Sequence, residues 1–291
     1  MLCIVRPLCL LGFFVLVLIL PGSASAESNL IRYPKHQAKS DPQLAYMLDV
    51  LKLAIDESHT RYQPVSATAT MVQSREILDL QQPKPTLDII WVMTSPTREQ
   101  ELLPIRIPVD RGLIGWRIPL VSARHIDLFK GIKTLAELAA LTAGQMHDWP
   151  DTTILRSNGL NVLTTDQYEG LFNMLSIDRF DYFPRSLIEI SNELESHRAL
   201  QLAIDPHVLI RYPAAFYFFV SPQRPKLAAD LENGLIAAEK DGKLKALFEH
   251  HFAATLKQLD VANRTVIDLK NPLLPASAPL QHKEYWFEVG E

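Results

Sequence analysis

The sequence predicts an α/β fold of two lobes with a cleft between them. Strand-like runs of β-branched and aromatic residues alternate with amphipathic helical segments over residues 29–256. This alternation of strands and helices begins again near residue 122. Near residue 212 the chain returns to the first unit, and an aromatic strand follows at 215–221. Two such units, joined near 112–122, indicate two lobes, for which we expect mainly parallel sheets.

The first 26 residues have the pattern of a secretory signal peptide. A basic residue, Arg6, precedes an apolar run from Leu8 to Leu20, and the segment ends in Ala24-Ser25-Ala26. A membrane anchor is the alternative, but the apolar run is short for a bilayer span. We therefore expect export and cleavage after Ala26.

Composition excludes several classes of function. Both cysteines, Cys3 and Cys9, lie in the signal segment, so residues 27–291 offer no thiol for catalysis, disulfides or metal binding. The formal net charge of −4 argues against nucleic acid and anionic membrane surfaces as partners. The length suits one large or two small lobes.

The first unit begins with a strand and a helix that Asp41 caps, with Pro42 in its first turn. The buried stripe of this helix is formed by Leu44, Met47, Leu48, Leu51 and Ile55. The predicted segments are a strand at 29–34, this helix, a strand at 61–67, a helix at 70–80, a strand at 87–93 and an extended run at 112–121.

The second unit repeats the alternation, and the chain then returns to an aromatic strand. Gly159 ends one of its helices and Thr165 caps the next. The predicted segments are a helix at 125–141, strands at 142–146, 160–165 and 179–184, helices at 151–158, 166–178 and 187–197, an extended run at 202–213, a strand at 215–221, and helices at 226–242 and 243–252. The proline-rich stretch at 271–279 predicts that the tail is an extended arm.

In this order and spacing, the sequence resembles the family 3 periplasmic solute-binding proteins, the extracytoplasmic receptors of polar amino-acid ABC importers. The resemblance covers residues 29–252 and is carried by LDIIWVMTSPTR, RGLIGWRI, YEGLFNMLSIDRFDYF and the run from AFYFFVS to DGKLKALFEHHF. It implies a type II periplasmic-binding-protein fold, a periplasmic location and a monomer. It also implies a small-molecule solute as ligand and a membrane permease or sensor as partner.

The resemblance also implies domain boundaries. One lobe is expected from 27–111 and 213–256, and the other from 112–212 with the hinge segments, which cross near Gly112 and at Tyr212-Pro213. Residues 1–26 form the signal peptide and 257–291 an extended C-terminal tail.

The resemblance places a ligand-carboxylate site at Thr94, Ser95 and Arg98, after the third strand. An arginine offers two parallel donors to a carboxylate, and ligands of α/β sheets bind beyond the carboxyl ends of the strands. The alternative is that Arg98 opens a surface helix and pairs with Glu99 or Glu101.

Two segments depart from the family pattern. Ser186 stands where relatives carry a carboxylate for the ligand ammonium, and Arg185 beside it suits a second anionic group or is a solvated strand-end residue. The loop GQMHDWPDT replaces a small-residue turn, so that Asp148 and Trp149 either contact the ligand or have structural roles, with helix capping by Asp148 or Asp151. Tyr33 either lines the cleft or packs in the core.

Enzyme motifs are missing from the sequence, and we expect no catalytic residue, cofactor or metal. His147 and Asp148 are the one neighbouring acid–base pair in the expected cleft, with Tyr33 as a third proton-transfer candidate. The sequence therefore favours capture of a small anionic or amino-acid-like solute for ABC-type import. The alternatives are a ligand-sensing module for a membrane receptor and a dehydratase-like enzyme that uses the same cleft.

Overall fold

The computed structural model describes Leu2, residues 29–35 and residues 42–289. The predicted signal peptide, apart from Leu2, and the predicted cap Asp41 lie outside the described residues. Within the described ranges, no helix combines the length and the apolar composition that crossing a bilayer requires.

The first set of elements alternates between strand and helix, as predicted. Their bounds are β1 Leu30–Tyr33, α1 Pro42–Glu57, β2 Gln63–Ser66, α2 Gln73–Leu80, β3 Ile89–Met93, α3 Pro96–Glu101 and β4 Leu103–Ile105. A 3-10 turn over Leu113–Gly115 leads into the second set.

Within the described residues, the second set contains six strands and four α-helices. Their bounds are β5 Trp116–Ser122, α4 Leu135–Leu138, β6 Thr142–Met146, α5 Pro150–Ser157, β7 Asn161–Thr165, α6 Tyr168–Ser176, β8 Phe183–Ser186, α7 Ile190–Ser196, β9 Leu202–Ile204 and β10 Val208–Arg211. The chain then forms β11 Phe216–Val220, α8 Pro225–Lys240, α9 Lys243–Gln258 and β12 Thr265–Asp268.

One group of strands forms the sheet of the first lobe. The aromatic strand β11 lies between β3 and β4 and is antiparallel to both, and all five residues of β11 and of β3 are buried. The parallel pair β1–β2 lies beside β3, where the Asp88 N–H donates to the Arg32 carbonyl at 2.8 Å. The burial of β3 on both faces confirms the covered strand that its composition predicts.

The second lobe is organised around β5, which pairs with β8, β9 and β10. The parallel pair β6–β7 approaches β8 through a bridge between Ala143 and Tyr182. Five of the eight strand pairings in the described residues are antiparallel, so the expectation of mainly parallel sheets is wrong. Strands that follow a crossing between the lobes return in the opposite direction, which local alternation does not reveal.

The prediction of a helix over 125–141 is also wrong, because within this range only Leu135–Leu138 is α-helical. A capping box starts this helix late: Thr134 Oγ1 accepts from the Glu137 N–H, and the Glu137 carboxylate accepts from the Thr134 N–H at 3.0 Å. The preceding residues form turns around the buried Phe129. Similarly, α6 begins at Tyr168 with Gln167 as its cap, not Thr165, and β8 begins at Phe183 rather than at 179.

The two segments that connect the lobes run side by side. Strands β5 and β10 pair antiparallel, and the Tyr212 N–H donates to the Gly115 carbonyl at 3.0 Å. A Cβ atom on Gly115 would lie 2.1 Å from the Tyr212 carbonyl oxygen, so only glycine allows this approach. The two connecting segments therefore lie side by side at residues 115–117 and 210–212, and the cleft lies next to them.

Candidate functional site

A cleft of about 390 Å³ lies between the lobes, at the carboxyl ends of β1, β3, β6 and β8. Its apolar lining comes from both lobes and includes Trp91, Met93 and Phe216 on one side and Met146, Trp149 and Tyr168 on the other. The position agrees with the rule that ligands of α/β sheets bind beyond the carboxyl ends of strands.

Arg117, at the start of β5, is fixed in the floor of the cleft by three partners. Its guanidinium lies 2.7 Å from Asp151 Oδ1 and 3.3 Å from Glu189 Oε2, and its Nε donates to the Tyr212 hydroxyl at 3.0 Å. The Tyr212 hydroxyl in turn donates to Asp151. Although desolvation opposes the charge, Asp151, Tyr212 and Glu189 raise the pKa of Arg117, so this guanidinium stays charged.

Arg185, at the end of β8, is engaged in the same way. Its Nε and Nη2 donate to the two oxygens of Glu193 at 2.7 and 2.5 Å, and Nη2 lies 3.1 Å from Glu189 Oε2. Its guanidinium carbon lies 4.8 Å from the ring centre of Trp149 and 4.7 Å from that of Phe183. Arg185 therefore lines the cleft, but its side chain is only 3% exposed and its fork is filled by carboxylates of this chain.

The sequence carried a signal for this network that pattern reasoning missed. A guanidinium in the apolar run GWRIPLV requires a buried carboxylate, since an unpaired buried charge is very costly. Glu189 and Glu193 are separated by four residues around the start of α7, a spacing that places both on one face. What the spacing alone does not reveal is that Arg185 pairs with both acids and Arg117 with Glu189.

The loop before α5 brings Asp148 and Trp149 into the cleft lining, where the Trp149 ring lies against the Arg185 guanidinium. Trp149 is the N-cap residue of α5, and no side chain caps that helix, so capping by Asp148 or Asp151 is wrong. Instead, Asp151 pairs with Arg117, and Thr152 Oγ1 donates to the Met146 carbonyl at 2.7 Å. Asp148 Oδ1 is buried and accepts no hydrogen bond from the described residues.

The predicted carboxylate cradle lies just behind the cleft lining. Arg98 is 9% exposed, and its Nη1 and Nη2 donate to the Met93 carbonyl at 2.6 Å and to Gln73 Oε1 at 2.8 Å. Burial lowers the pKa of Arg98 to about 10, against the opposing effect of Asp148 and Asp151 across the cleft. Arg98 does not pair with Glu99. Instead, Glu99 Oε2 accepts a hydrogen bond from Arg106 Nε at 2.9 Å.

The two hydroxyls beside Arg98 have partners within the first lobe. Thr94 Oγ1 donates to Glu99 Oε1 at 2.8 Å, and Ser95 caps α3 by accepting from the Arg98 N–H at 3.3 Å. Among the described residues, neither hydroxyl residue belongs to the cleft lining, and nor does Arg98. Their role as a ligand cradle stays a prediction.

The remaining sequence candidates are spread apart. The Tyr33 ring packs 6.0 Å from the Trp91 ring, and Ser186 is buried, with its hydroxyl donating to the Leu113 carbonyl at 3.0 Å. His147 is exposed and outside the lining residues of the described chain, so it forms no acid–base pair with Asp148 in the cleft. The structure thus brings together Arg185, Asp148 and Trp149.

Comparisons with known proteins bear on the architecture. No family model and no curated protein sequence matches this chain. Solved structures do match: an ancestral arginine-binding protein bound to arginine aligns at 14% identity over 77% of this chain and 99% of its own, with a TM-score of 0.57. A Salmonella typhimurium periplasmic binding protein with high arginine specificity aligns at 14% identity over 77% and 99% of the two chains, with a TM-score of 0.54.

A third solved structure is the GluR0 ligand-binding core from Nostoc punctiforme in complex with L-glutamate. It aligns at 14% identity over 77% of this chain and 98% of its own, with a TM-score of 0.51. At such identities the likeness concerns the fold, and it spans nearly the whole of each relative. Together with the paired crossings and the cleft beside them, it shows that this chain has the type II two-lobe fold of periplasmic binding proteins.

Proposed function

We propose that this protein is an exported solute-binding protein that captures a small polar solute in its interlobe cleft and presents it to an ABC-type importer. The observation that carries the proposal is the cleft itself, which both lobes line and which lies beside two adjacent crossings. Its volume of about 390 Å³ suits a ligand of amino-acid size.

The arrangement supports capture by closure of the lobes. Crossings that run side by side let one lobe rotate against the other as a hinge, and a ligand that contacts both lobes favours the closed state. The three solved relatives are described as bound to, or specific for, arginine or glutamate, which supports a solute of this size. The pattern of residues 1–26 supports export into the periplasm, where such a receptor meets its solute.

Native mass spectrometry tests this proposal on protein purified from a periplasmic fraction without refolding. We expect a small molecule that co-purifies and leaves on mild denaturation. Adding that molecule back at 100 times its dissociation constant stabilises the fold by about 2.7 kcal/mol, which raises Tm by roughly 5–10 °C. Protein that carries no small molecule, and whose Tm does not respond to amino acids, amines or organic acids, would contradict the proposal.

A further inference from the structure

The cleft lining carries more acidic than basic side chains, which does not suit an anionic ligand. In the described residues, four basic side chains line the cleft: Lys35, Arg117, Arg185 and His197, whose Nε2 lies 2.9 Å from Glu169 Oε2. Six acidic side chains line it: Glu76, Asp148, Asp151, Glu169, Glu189 and Glu193. Desolvation raises the pKa of Glu189, but acids outnumber bases even when Glu189 holds a proton. The described part of the lining therefore carries an excess of acidic groups, which favours a cation over an anion.

The arginines of the cleft are engaged by this chain and are poor partners for a ligand carboxylate. Arg117 and Arg185 would have to leave Asp151 and Glu193, and each of those buried carboxylates would then lack its cation. Arg98 donates to Met93 and Gln73, which line the cleft themselves, so its guanidinium lies behind the lining. Lys35 is exposed at the edge, where solvent and salt screen its charge.

Asp148 provides a carboxylate oxygen that could accept a hydrogen bond from a cationic ligand. Its Oδ1 is buried and accepts no hydrogen bond within the described part of the chain. Leaving a buried carboxylate oxygen without a donor is costly, and an ammonium or guanidinium N–H would satisfy it with a charge-assisted hydrogen bond. Trp91 lines the same cleft and provides an aromatic ring that favours a cation, whereas the Trp149 and Tyr168 rings already contact the Arg185 guanidinium.

We infer that the solute is an organic cation that lacks a carboxylate, such as an amine or a guanidine, with its charged nitrogen at Asp148. This inference rests on the proposed solute-binding function and narrows its ligand class. It departs from a plain amino acid, whose carboxylate would meet an excess of acids, while the guanidinium groups of Arg98, Arg117 and Arg185 already have partners within this chain.

Two pairs of compounds that differ only in the α-carboxylate test the inference. Isothermal titration calorimetry compares agmatine with arginine and cadaverine with lysine on the protein without its signal segment, freed of co-purified ligand. We expect each amine to bind at least about tenfold more tightly than its amino acid, the ratio that loss of one charge-assisted interaction produces. Arginine or lysine that bound as tightly as its amine would overturn the inference and leave solute binding intact.

Asp148→Asn tests the assigned residue, and Asp178→Asn is the matched control. Asp178 pairs with Arg124 on the surface, away from the cleft. We expect Asp148→Asn to weaken agmatine binding by at least about tenfold and the control to leave it unchanged. Equal affinity in both variants would remove Asp148 from the site. If no amine, amino acid or organic acid binds and native mass spectrometry finds no ligand, the proposed function fails and this inference with it.

Discussion

At the scale of single residues, the cleft wall depends on two guanidinium groups that are each paired with carboxylates. Arg117 and Arg185 are both 3% exposed, and Glu189 contacts both of them. Because each charge is buried with its partners, removal of one member leaves the others uncompensated. The network therefore positions α5, α7 and β8 around the cleft, in addition to carrying charge.

Replacing Arg117 by methionine tests that role. We expect Arg117→Met to lower the free energy of unfolding by roughly 3–5 kcal/mol, because the buried Asp151 loses its cation and Glu189 keeps only Arg185. Urea denaturation followed by circular dichroism measures the change. Lys52→Met is the control, since Lys52 pairs with Asp56 on the exposed face of α1 and we expect no measurable effect. A variant of Arg117 as stable as the control would contradict this account.

Asp110, in the first crossing, predicts a pH dependence of stability. Its carboxylate accepts from the N–H groups of Ile114 at 2.6 Å and Gly112 at 3.0 Å, and burial raises its pKa to about 7 despite these bonds. The folded protein thus keeps a proton that the unfolded chain releases near pH 4. Between these values the folded state binds more protons, so stability falls as pH rises from about 4 to 7, by up to about 4 kcal/mol.

Asp110→Asn checks this dependence. The asparagine oxygen can still accept one N–H bond but does not titrate, so we expect the variant to lose less stability than the parent between pH 4.5 and pH 8. Urea denaturation at the two pH values provides the comparison. An identical change in both proteins would assign the pH dependence to other groups.

At the scale of elements, α1 and α8 approach each other closely at Gly234. A Cβ atom there would lie 1.9 Å from the Ala54 carbonyl oxygen, a contact that requires the helices to separate. We expect Gly234→Ala to cost roughly 1–3 kcal/mol or more by overpacking. Gly170→Ala in α6 is the control, because its Cβ would meet Gln167 Cβ at 3.3 Å and alanine gains up to about 1 kcal/mol in helix propensity.

Thermal unfolding of the two alanine variants separates packing from propensity. The Gly234 variant should melt several degrees below the parent, and the Gly170 variant at or above it. Two variants that melt together would show that α1 and α8 adjust to the added methyl group.

At the scale of the whole molecule, the tail joins the lobes and both crossings. Strand β12 pairs with β10, and the tail residue Lys270 exchanges hydrogen bonds with Asn158 at 2.7 and 3.0 Å. Farther along, the Phe287 N–H donates to the Arg111 carbonyl at 2.8 Å, and Arg111 Nη2 donates to the Trp286 carbonyl at 2.9 Å. The tail is therefore docked along much of its length.

Truncation tests whether this docking contributes to stability. We expect removal of residues 271–291 to lower Tm by at least about 2 °C, because the Trp286 and Phe287 rings lose their contacts with the first crossing and with Phe248. Truncation after Glu288 keeps both rings and serves as the control. If the longer truncation melts at the temperature of the control, the docked tail adds nothing to stability.

Much of the fold follows from local pattern. The apolar composition of β3 and β11 predicts covered strands, and the 3.6-residue period of α1 predicts its buried face, because neighbours in sequence share one element. Asp148, Trp149 and Arg185 became candidates in another way, because each departs from the pattern of the resembling family at a strand or helix end. These predictions require no knowledge of which distant segments meet.

What the sequence by itself determined was the kind and order of the elements, together with the polar residues at their ends. Only the tertiary structure decided the direction of strand pairing and the partners of the buried charges. Arg117 meets Asp151 and Tyr212, which are far from it in the chain, and Arg98 turns to Met93 and Gln73. Such partners are selected by the free energy of burying charge, which depends on the assembled lobes and not on sequence spacing.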